Sequence, residues 1–278
     1  MPESKSRINY YDRIASIYDQ TRWITDSVAE EIADFILELV RATASTSFLE
    51  PAVGTGLNMM PFVKRGYAVT GIDISAEMLD QFRQKIKGTS GQAMPENLTL
   101  IQGDASQLPF PDNHFDVILT VHMIHAVTHW QRFLDDIERV LKPQGVYINA
   151  QWLLPPARRK FQDHFYTILA NYPEAYTPYP ADKLVDAIAI DDYFRSKGYH
   201  SDYRLVKKWP VGNTVQEMLA FYRARAYGFC WRVENNVFPK IMNELESFCI
   251  EHYGSLDAEL SSNATFELWA YTANSCKQ

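Results

Sequence analysis

Apolar positions along the first half of the chain follow two alternating periods. From residue 26 to about residue 41 they recur every three or four positions, which predicts an amphipathic helix capped by Ser27 or Asp26. A short strand-like run, residues 47–50, then leads into the turn PAVGTG, residues 51–56, after which helical spacing resumes. The pattern predicts a strand, a glycine turn and a helix in succession.

The same unit repeats as far as residue 150. Strands are predicted over residues 67–73, 98–104, 115–121 and 146–150, and helices over residues 75–87, capped by Ser75, and 129–141. Strands that alternate with helices are joined by right-handed crossovers, which place helices on both faces of a parallel sheet. We therefore predict an α/β fold: a Rossmann-like, doubly wound, mostly parallel sheet of seven strands, with helices on both faces. Ligands bind such a sheet outside the carboxyl ends of its strands.

The regular pattern stops after Trp152. Residues 153–190 are rich in proline and tyrosine, and we interpret them as helical pieces and loops of a mainly helical lid insertion. Later elements are a helix end, turn and strand over residues 193–209, helices over 214–226 and 238–253, and a strand over 264–273 that returns to the sheet edge. We predict a ligand-binding domain with an N-terminal helical segment over residues 1–152, a lid or substrate-binding region over 153–235, and a C-terminal helix and strand over 236–278.

Composition and charge exclude several classes of protein. Hydrophobic residues make up 46% of the chain and charged residues 22%, which is ordinary for a folded globular protein. The formal net charge of −7 argues against general binding to nucleic acids or to a membrane surface. Without an apolar run of about 18 residues or a signal-peptide core, we expect a cytoplasmic protein. Cys230, Cys249 and Cys276 are widely spaced and odd in number, which favours idle thiols over disulfides or a zinc site.

The glycine turn carries the first candidate chemistry. Gly54 and Gly56 lie between a predicted strand and a predicted helix, where glycine lets the backbone pass close to a ligand. A dinucleotide fingerprint would need a third glycine at the position of Met59, so the sequence disfavours NAD.

Carboxylates end three successive predicted strands: Glu50, Asp73 and Asp104. The first suits a cationic ammonium and repels phosphate. The second is placed to accept hydrogen bonds from ribose hydroxyls, and the third to accept one from the adenine amine while the Ala105 amide donates to the ring. A single aspartate at a strand end is more often a helix cap or a turn former. The three acids together favour a ligand with ribose, adenine and positive charge, as in S-adenosylmethionine.

The order of these motifs resembles a known family. FLEPAVGTG, GIDISAEML, GDASQLPFPDNHFDVILT and RVLKPQG are similar to successive motifs of class I S-adenosylmethionine-dependent methyltransferases of the type 11, ubiquinone-biosynthesis-like kind, over about residues 10–150. The resemblance implies S-adenosyl-L-methionine as cofactor, bound by the domain of residues 1–152. Ala52 departs from the family, whose E/D-x-G-x-G-x-G pattern has its first glycine there. The implied cofactor-binding residues are Tyr18, Glu50, Ala52, Gly54, Gly56, Asp73, Ile74, Met78, Asp104, Ala105 and Thr120.

The segment YYDRIASIYD, residues 10–19, is similar to the Y-D-x-x-A-x-x-Y-D segment of the ubiquinone-biosynthesis type, whose tyrosines close over cofactor and substrate. This likeness implies a substrate contact at Tyr11 and a cofactor contact at Tyr18. Ordinary packing accounts for the two tyrosines equally well, and Met78, at helical spacing, also fits a core position.

Three histidines, His122, His125 and His129, follow the fourth predicted strand. In this topology the segment lies over the transferred methyl group, and the family often has a histidine or a His-Trp pair here. We predict His125 as a general base, because imidazole titrates near neutrality, and His122 and Trp130 as substrate-binding residues. Methyl transfer needs little beyond alignment, so packing or backbone hydrogen bonds are an equal alternative for the histidines. No carboxylate accompanies them at ligand spacing, and we predict no metal site.

Residues 195–232 reverse the charge of the rest of the chain. This basic strip has eight Arg and Lys residues against Asp202 and Glu217, interleaved with aromatic residues. It fits a solvated face, a pocket for an acidic small substrate with Arg223 as a substrate-binding residue, or an RNA contact. TVQEMLAFYRARAYGFCW, residues 214–231, loosely resembles the C-terminal part of methyltransferases that act on small carboxylic acids such as trans-aconitate.

These observations predict a cytoplasmic methyltransferase that moves a methyl group from S-adenosyl-L-methionine to a small-molecule acceptor, such as a carboxylate-bearing metabolite, under the lid. An RNA methyltransferase that uses the basic strip is the alternative enzyme. A catalytically silent cofactor-binding protein is the alternative outside enzymes. We expect a monomer or homodimer that binds neither nucleic acid nor membrane.

Overall fold

The computed structural model describes residues 10–90, 93–178 and 185–273, and within these ranges seven strands form one sheet in the order β3-β2-β1-β4-β5-β7-β6. The strands are β1 (Ser47–Pro51), β2 (Ala68–Asp73), β3 (Leu98–Gln102), β4 (Phe115–Val121), β5 (Leu141–Leu153), β6 (Tyr199–Thr214) and β7 (Glu259–Ala273). The α-helices with both ends in these ranges are α1 (Asp26–Leu39), α2 (Met60–Lys64), α3 (Ala76–Ser90), α4 (Trp130–Val140), α5 (Pro156–Leu169), α6 (Ala187–Ser196), α7 (Val215–Arg223) and α8 (Phe238–Tyr253).

Strands β1 to β5 pair in parallel, and their register brings their carboxyl ends to one edge of the sheet. Glu50 of β1 pairs with Gly71 of β2, and Leu49 pairs with Ile118 of β4. The chain order reverses at β1, which lies between β2 and β4. This is the switch point at which open α/β sheets bind ligands. The predicted Rossmann-like fold is confirmed.

Each face of the sheet has its own apolar core because side chains alternate along the strands. On β4, Val117 and Leu119 pack on the face covered by α1, α2 and α3, whereas Ile118 packs on the face covered by α4 and α6. Complete burial of one such aliphatic side chain stabilises the fold by about 1.5–3 kcal/mol. Helices on both faces were predicted from the alternating pattern.

The last strand lies inside the sheet and not at its edge. β7 pairs antiparallel with β5 on one side and with β6 on the other, so β6 is the edge strand. The prediction that residues 264–273 return to the sheet edge is therefore wrong in this detail. The alternation of apolar residues identified the strand but carried no information about its partners.

Two helix starts show how local chemistry sets the boundaries. The Ser75 hydroxyl accepts a hydrogen bond from the Met78 amide at 3.1 Å, as its predicted cap role requires. At α1 the cap is Thr25, whose side chain accepts from the Val28 amide at 3.3 Å, and not Ser27 or Asp26.

A third apolar core lies in a helical layer, which we define as residues 156–178 and 215–253. It joins α5, α7, α8 and the 3₁₀ turn Gly228–Arg232. This layer differs from the predicted boundaries, because β6 and α6 lie within residues 153–235 yet pack with the sheet, whereas α8 lies beyond residue 235 yet packs with α5 and α7. Cys230 and Cys249 are buried in the layer as free thiols, and Cys276 lies outside the described residues.

Candidate active site

A cavity of about 1000 Å³ separates the carboxyl edge of the sheet from the helical layer. Its sheet side is formed by the ends of β1 and β4 with the turns that follow them, and its other side by α5 and residues 228–235. The volume is at the upper end of that of ordinary ligand pockets. Of the residues predicted from the sequence, the lining includes Tyr11, Tyr18, Glu50, Ala52, Gly54, His122 and His125.

Glu50, at the end of β1, is the most deeply buried acid of this lining, with 1% of its surface exposed. Its Oε1 accepts a hydrogen bond from the Asn58 side chain at 2.5 Å, whereas its buried Oε2 has no partner among the described residues. Burial raises the pKa of Glu50 well above its usual value, opposed by the Asn58 hydrogen bond and supported by the negative charge of Asp73. An unpaired buried carboxylate oxygen is costly, and a cationic ligand group would remove that cost.

The glycine turn adopts left-handed backbone at alternate positions. Ala52, Gly54 and Gly56 have φ angles of 56°, 55° and 75°. A Cβ on Gly56 would lie 2.4 Å from the Phe82 ring, so the third position has no room for a side chain. Ala52 therefore has a backbone conformation that favours glycine. Its departure from the family pattern places a Cβ where the left-handed backbone is strained.

Asp73, at the end of β2, holds this turn in place. Its carboxylate accepts hydrogen bonds from the Gly54 amide at 2.8 Å and from the Ser75 amide at 2.9 Å. Burial raises the pKa of Asp73, although the amides of Ser75, Gly54 and Ile74 oppose the increase. The residue predicted to bind ribose thus also shapes the turn beside Glu50.

The third strand end is more open. Asp104 is exposed and accepts a hydrogen bond from the Ser106 amide at 2.9 Å, which is the turn-forming role of an aspartate. Ala105 is buried against Ile72 and other residues of the core on the α4 face. Neither residue is part of the cavity lining, and their adenine role stays a prediction.

Residues 10–24, which we name the N-terminal segment, lie against the cofactor motifs. The Ser75 hydroxyl donates to Asp12 at 2.6 Å, and the Thr55 hydroxyl donates to Asp19 at 2.5 Å. Ile14 and Ala15 bury Met78. The segment therefore contacts both the glycine turn and the start of α3.

The same segment also contacts the helical layer. The Tyr10 hydroxyl donates to the Ala226 carbonyl at 3.0 Å, and the Arg158 guanidinium donates to the Thr21 carbonyl at 2.8 Å. Since Tyr11 and Tyr18 line the cavity, the segment forms one of its walls. The resemblance of residues 10–19 had implied this placement.

The two cavity histidines, His122 and His125, both have exposed surface in the cavity lining. His122 has a left-handed φ of 52°, and its Nε2 lies 2.6 Å from the Trp152 carbonyl oxygen and 2.9 Å from the Trp152 amide nitrogen. Dehydration by the surrounding protein lowers the pKa of His122 to about 4; the hydrogen bond with the Trp152 backbone opposes this shift, and the charges of His125 and Arg22 add to it. His122 is therefore neutral at pH 7. His125, in the 3₁₀ turn Ile124–Ala126, is exposed to the cavity with its ring centre 6.4 Å from that of His122.

Besides Asp104 and Ala105, the cavity lining also excludes Gly56, Asp73, Ile74, Met78, Thr120, Trp130 and Arg223. Thr120 is fully buried, with its hydroxyl 2.8 Å from that of Tyr147. Trp130 packs edge-on against Tyr193, and Arg223 forms an exposed ion pair with Glu246. Trp130 and Arg223 thus lie outside the cavity lining, and their substrate roles stay predictions.

The basic strip, residues 195–232, is spread over three sides of the molecule. Lys197 pairs with Asp135 of α4 on one face of the sheet, and Lys207 pairs with Glu31 of α1 on the other. Arg223 belongs to the helical layer. Because the pairs neutralise these charges in different places, the strip forms no single polycationic surface.

Two of the cavity residues that the sequence reasoning missed contact predicted site residues. Asn58, which binds Glu50, stands as a polar residue in an apolar run, and that was a readable signal. Arg22 lines the cavity with its guanidinium carbon 4.0 Å from the centre of the Tyr18 ring. Nothing in the local pattern marks Arg22, because long-range packing brings it to the cavity.

The described ranges hold no group of three or more His, Cys, Asp or Glu side chains arranged to bind a metal ion. Within the same ranges, no helix has the combination of length and apolarity that a bilayer-spanning helix needs.

Comparison with known proteins gives similarities in both sequence and fold. Residues 49–149 match the family described as a methyltransferase domain. The chain is 34% identical over 165 residues to a demethylmenaquinone methyltransferase of Tropheryma whipplei, covering 58% of this chain and 64% of that protein. It is 38% identical over 116 residues to a ubiquinone/menaquinone biosynthesis C-methyltransferase of Pseudomonas paraeruginosa, covering 40% of this chain and 43% of that protein. The chain thus matches less than two thirds of the length of these curated relatives.

The fold is similar to that of the 4+2 cyclase SpnF, with a TM-score of 0.58 and 16% identity over 97% of this chain and 96% of that one. At this identity the likeness concerns the fold alone, and the cyclase name shows that the fold does not fix the reaction. The family assignment depends instead on the sequence matches, which cover the glycine turn and the carboxylates ending β1, β2 and β3. Residues 49–149 of the chain thus match a methyltransferase domain, and the curated relatives to which the chain is similar are methyltransferases.

Proposed function

We propose that the protein transfers a methyl group from S-adenosyl-L-methionine to a small-molecule acceptor in the cavity between the sheet edge and the helical layer. The observation that carries the proposal is the buried Glu50 Oε2, which has no partner among the described residues. It lies beside a glycine turn at the switch point of the sheet, where the family binds its cofactor. A carboxylate in this position favours an ammonium group and disfavours a phosphate.

The residues present fit this cofactor. A Cβ on Gly54 would meet nothing within 4 Å, so the turn leaves open space beside the backbone. The Asp73 carboxylate accepts two amide hydrogen bonds and keeps lone pairs for ribose hydroxyls. Glu50 would hold the ammonium, and Tyr18 would cover the cofactor from the N-terminal segment.

Bound in this way, S-adenosyl-L-methionine supplies an electrophilic methyl group on a sulfonium, a good leaving group. The protein contributes mainly alignment, which can be worth about 7–11 kcal/mol of the barrier. The N-terminal segment and the helical layer enclose the cavity and limit the access of water. His125 faces the cavity and is the residue we propose to take a proton from the acceptor, whereas His122, neutral at pH 7, is placed to hydrogen-bond it.

The acceptor side of the cavity is rich in aromatic rings, including those of Tyr11, Phe229 and Trp231. Flat apolar walls favour a planar acceptor of modest size. The named relatives act on demethylmenaquinone or in ubiquinone and menaquinone biosynthesis, which supports an acceptor of aromatic type.

Two measurements test this function. Isothermal titration with S-adenosylhomocysteine should show binding, and Asp73→Asn should weaken it by about tenfold or more, because one hydrogen-bond acceptor is lost. Asp34→Asn, an exposed acid on α1, is the matched control and should leave the affinity unchanged. Absence of binding at millimolar concentration would contradict the proposal.

Release of a labelled methyl group across a panel of aromatic metabolites then separates an enzyme from a silent cofactor-binding protein. The RNA methyltransferase alternative requires RNA affinity that falls steeply with salt. The dispersed and paired charges of the basic strip give it little support. The cytoplasmic location and the monomeric or homodimeric state stay predictions.

A further inference from the structure

Arg22 is a cation inside the cavity without a matching anion. Its guanidinium stacks on the Tyr18 ring at 4.0 Å and lines the cavity. The structure gives it no ion pair with an Asp or Glu among the described residues, whereas other cations of the fold, such as Arg65, Lys85 and Arg139, have one. Arginine stays protonated at all physiological pH values, so this positive charge is permanent.

The surroundings of Arg22 reinforce its positive potential. Arg158, almost fully buried behind the lining, lies close enough for the two guanidinium charges to repel each other. Arg158 binds neutral oxygens, those of the Asn213 side chain and the Thr21 carbonyl. Two cations therefore lie near one end of the cavity. The exposed Glu217 acts on the charge of Arg158, whereas no Asp or Glu of the described residues forms an ion pair with Arg22.

The other ionisable groups near Arg22 do not cancel this charge. Its electrostatic neighbours are the phenols of Tyr18, Tyr10 and Tyr227 and the imidazole of His122, and none of these is a carboxylate. The lining has two carboxylates: Glu50, already assigned to the cofactor, and the exposed Glu234 at the rim. Desolvated guanidinium groups bind carboxylates through two parallel hydrogen bonds, and these are among the strongest polar contacts in proteins.

We propose that Arg22 is a specificity-determining residue that selects acceptors carrying a carboxylate and holds that group during methyl transfer. This inference rests on the proposed function in one respect, namely that the bound carboxylate compound is the methyl acceptor. The anion site itself does not depend on methyl transfer. Arg22 replaces the basic strip as the source of carboxylate specificity, because Arg223 faces outward.

A matched pair of probes tests the anion site by binding, without turnover. 2-Naphthoate and 2-naphthamide have nearly the same shape and differ in charge. Titrated into protein saturated with S-adenosylhomocysteine, the carboxylate should bind about tenfold or more tightly than the amide. Arg22→Gln should abolish this preference and Arg22→Lys should retain part of it, while Arg223→Gln, the surface control, should keep all of it.

The results of these titrations test the role of Arg22 separately from the proposed methyltransferase function. Equal affinity for the two probes, binding of neither at millimolar concentration, or a preference that survives Arg22→Gln overturns the role of Arg22. Thermal midpoints and S-adenosylhomocysteine affinity of the Arg22 variants show whether the fold and the cofactor site are intact. If the wild-type protein fails to bind S-adenosylhomocysteine, the proposed function fails, whereas the naphthoate preference of the cofactor-free protein still decides the anion site.

Discussion

The sheet edge and the helical layer face the same cavity but are built in different ways. At the sheet edge, Glu50, the glycine turn and Asp73 lie within a short stretch of chain and are held by backbone hydrogen bonds. In the helical layer, the core is assembled from helices that β6 and α6 separate along the chain. Under the proposed function, the sheet edge holds the cofactor and the helical layer encloses the acceptor. Variants that affect one region and spare the other can break or sharpen this comparison.

The largest effect is expected from a cavity in the helical layer. Leu245→Ala removes a fully buried side chain of α8 and should lower the free energy of unfolding by about 2–5 kcal/mol. S-adenosylhomocysteine affinity should stay within about twofold of wild type, because α8 contributes nothing to the glycine turn or Asp73. Denaturant unfolding and isothermal titration at low temperature measure the two quantities.

Leu134→Ala on α4 is the control for this test, since Leu134 is equally buried but lies in the core between the sheet and helices α4 and α6. It should cost a similar free energy and also spare cofactor affinity. A loss of affinity specific to Leu245→Ala would show that the helical layer helps to form the cofactor site. Ile241→Val provides a milder version if the larger truncation prevents folding.

The next effect separates binding from stability at the sheet edge. Glu50→Gln keeps the shape and the hydrogen bond from Asn58 but removes the negative charge, so S-adenosylhomocysteine should bind about tenfold or more weakly. Without ligand, the variant should be more stable than wild type at pH 8. Burial raises the pKa of Glu50 in the folded protein. Glu50 therefore contributes favourably to the free energy of unfolding below the unfolded pKa near 4.5, and this contribution is lost as the pH rises.

Thermal midpoints between pH 4 and pH 8 measure the difference in stability between Glu50→Gln and wild type, which should vanish near pH 4. A free-energy change of 1 kcal/mol corresponds to about 2–4 °C in a domain of this size. Glu31→Gln, at an exposed position of α1, is the matched control. If Glu50→Gln lowers stability at pH 8, then Glu50 is paired in the cofactor-free protein and its assigned role is wrong.

The smallest effect tests the backbone of the turn. Ala52→Gly should stabilise the protein by about 0.5–1 kcal/mol, because relief of the left-handed conformation exceeds the entropy cost of glycine. Ala220→Gly, in the exposed interior of α7, should instead cost about 1 kcal/mol. Chemical denaturation of both variants provides the measurement. A destabilised Ala52→Gly would mean that the alanine methyl makes a contact that outweighs its strain.

The contrast between a sheet edge built from a short stretch of chain and a helical layer built from distant segments also explains which features could be predicted from the sequence. The order of strands and helices up to residue 150, the cap Ser75 and the bounds of α8 follow from local periodicity and hydrogen bonding. Glu50 and Asp73 were found because the motif and the strand ends coincide. Arg22 was not found, since its position depends on contacts such as the one between Tyr10 and Ala226, 216 positions apart. The partners of β7 were likewise beyond local patterns, because an alternating strand carries no mark of its neighbours.

The position of β7 has a consequence for synthesis and truncation. Until residues 259–273 are available, β5 and β6 each present an unpaired strand edge, and β6 has no sheet neighbour other than β7 among the described strands. Bare edges template pairing with other chains, so nascent or shortened molecules are exposed to aggregation. A chain cut before residue 259 would keep the glycine turn and every carboxylate discussed above, yet it would be expected to precipitate from solution before its chemistry could be measured.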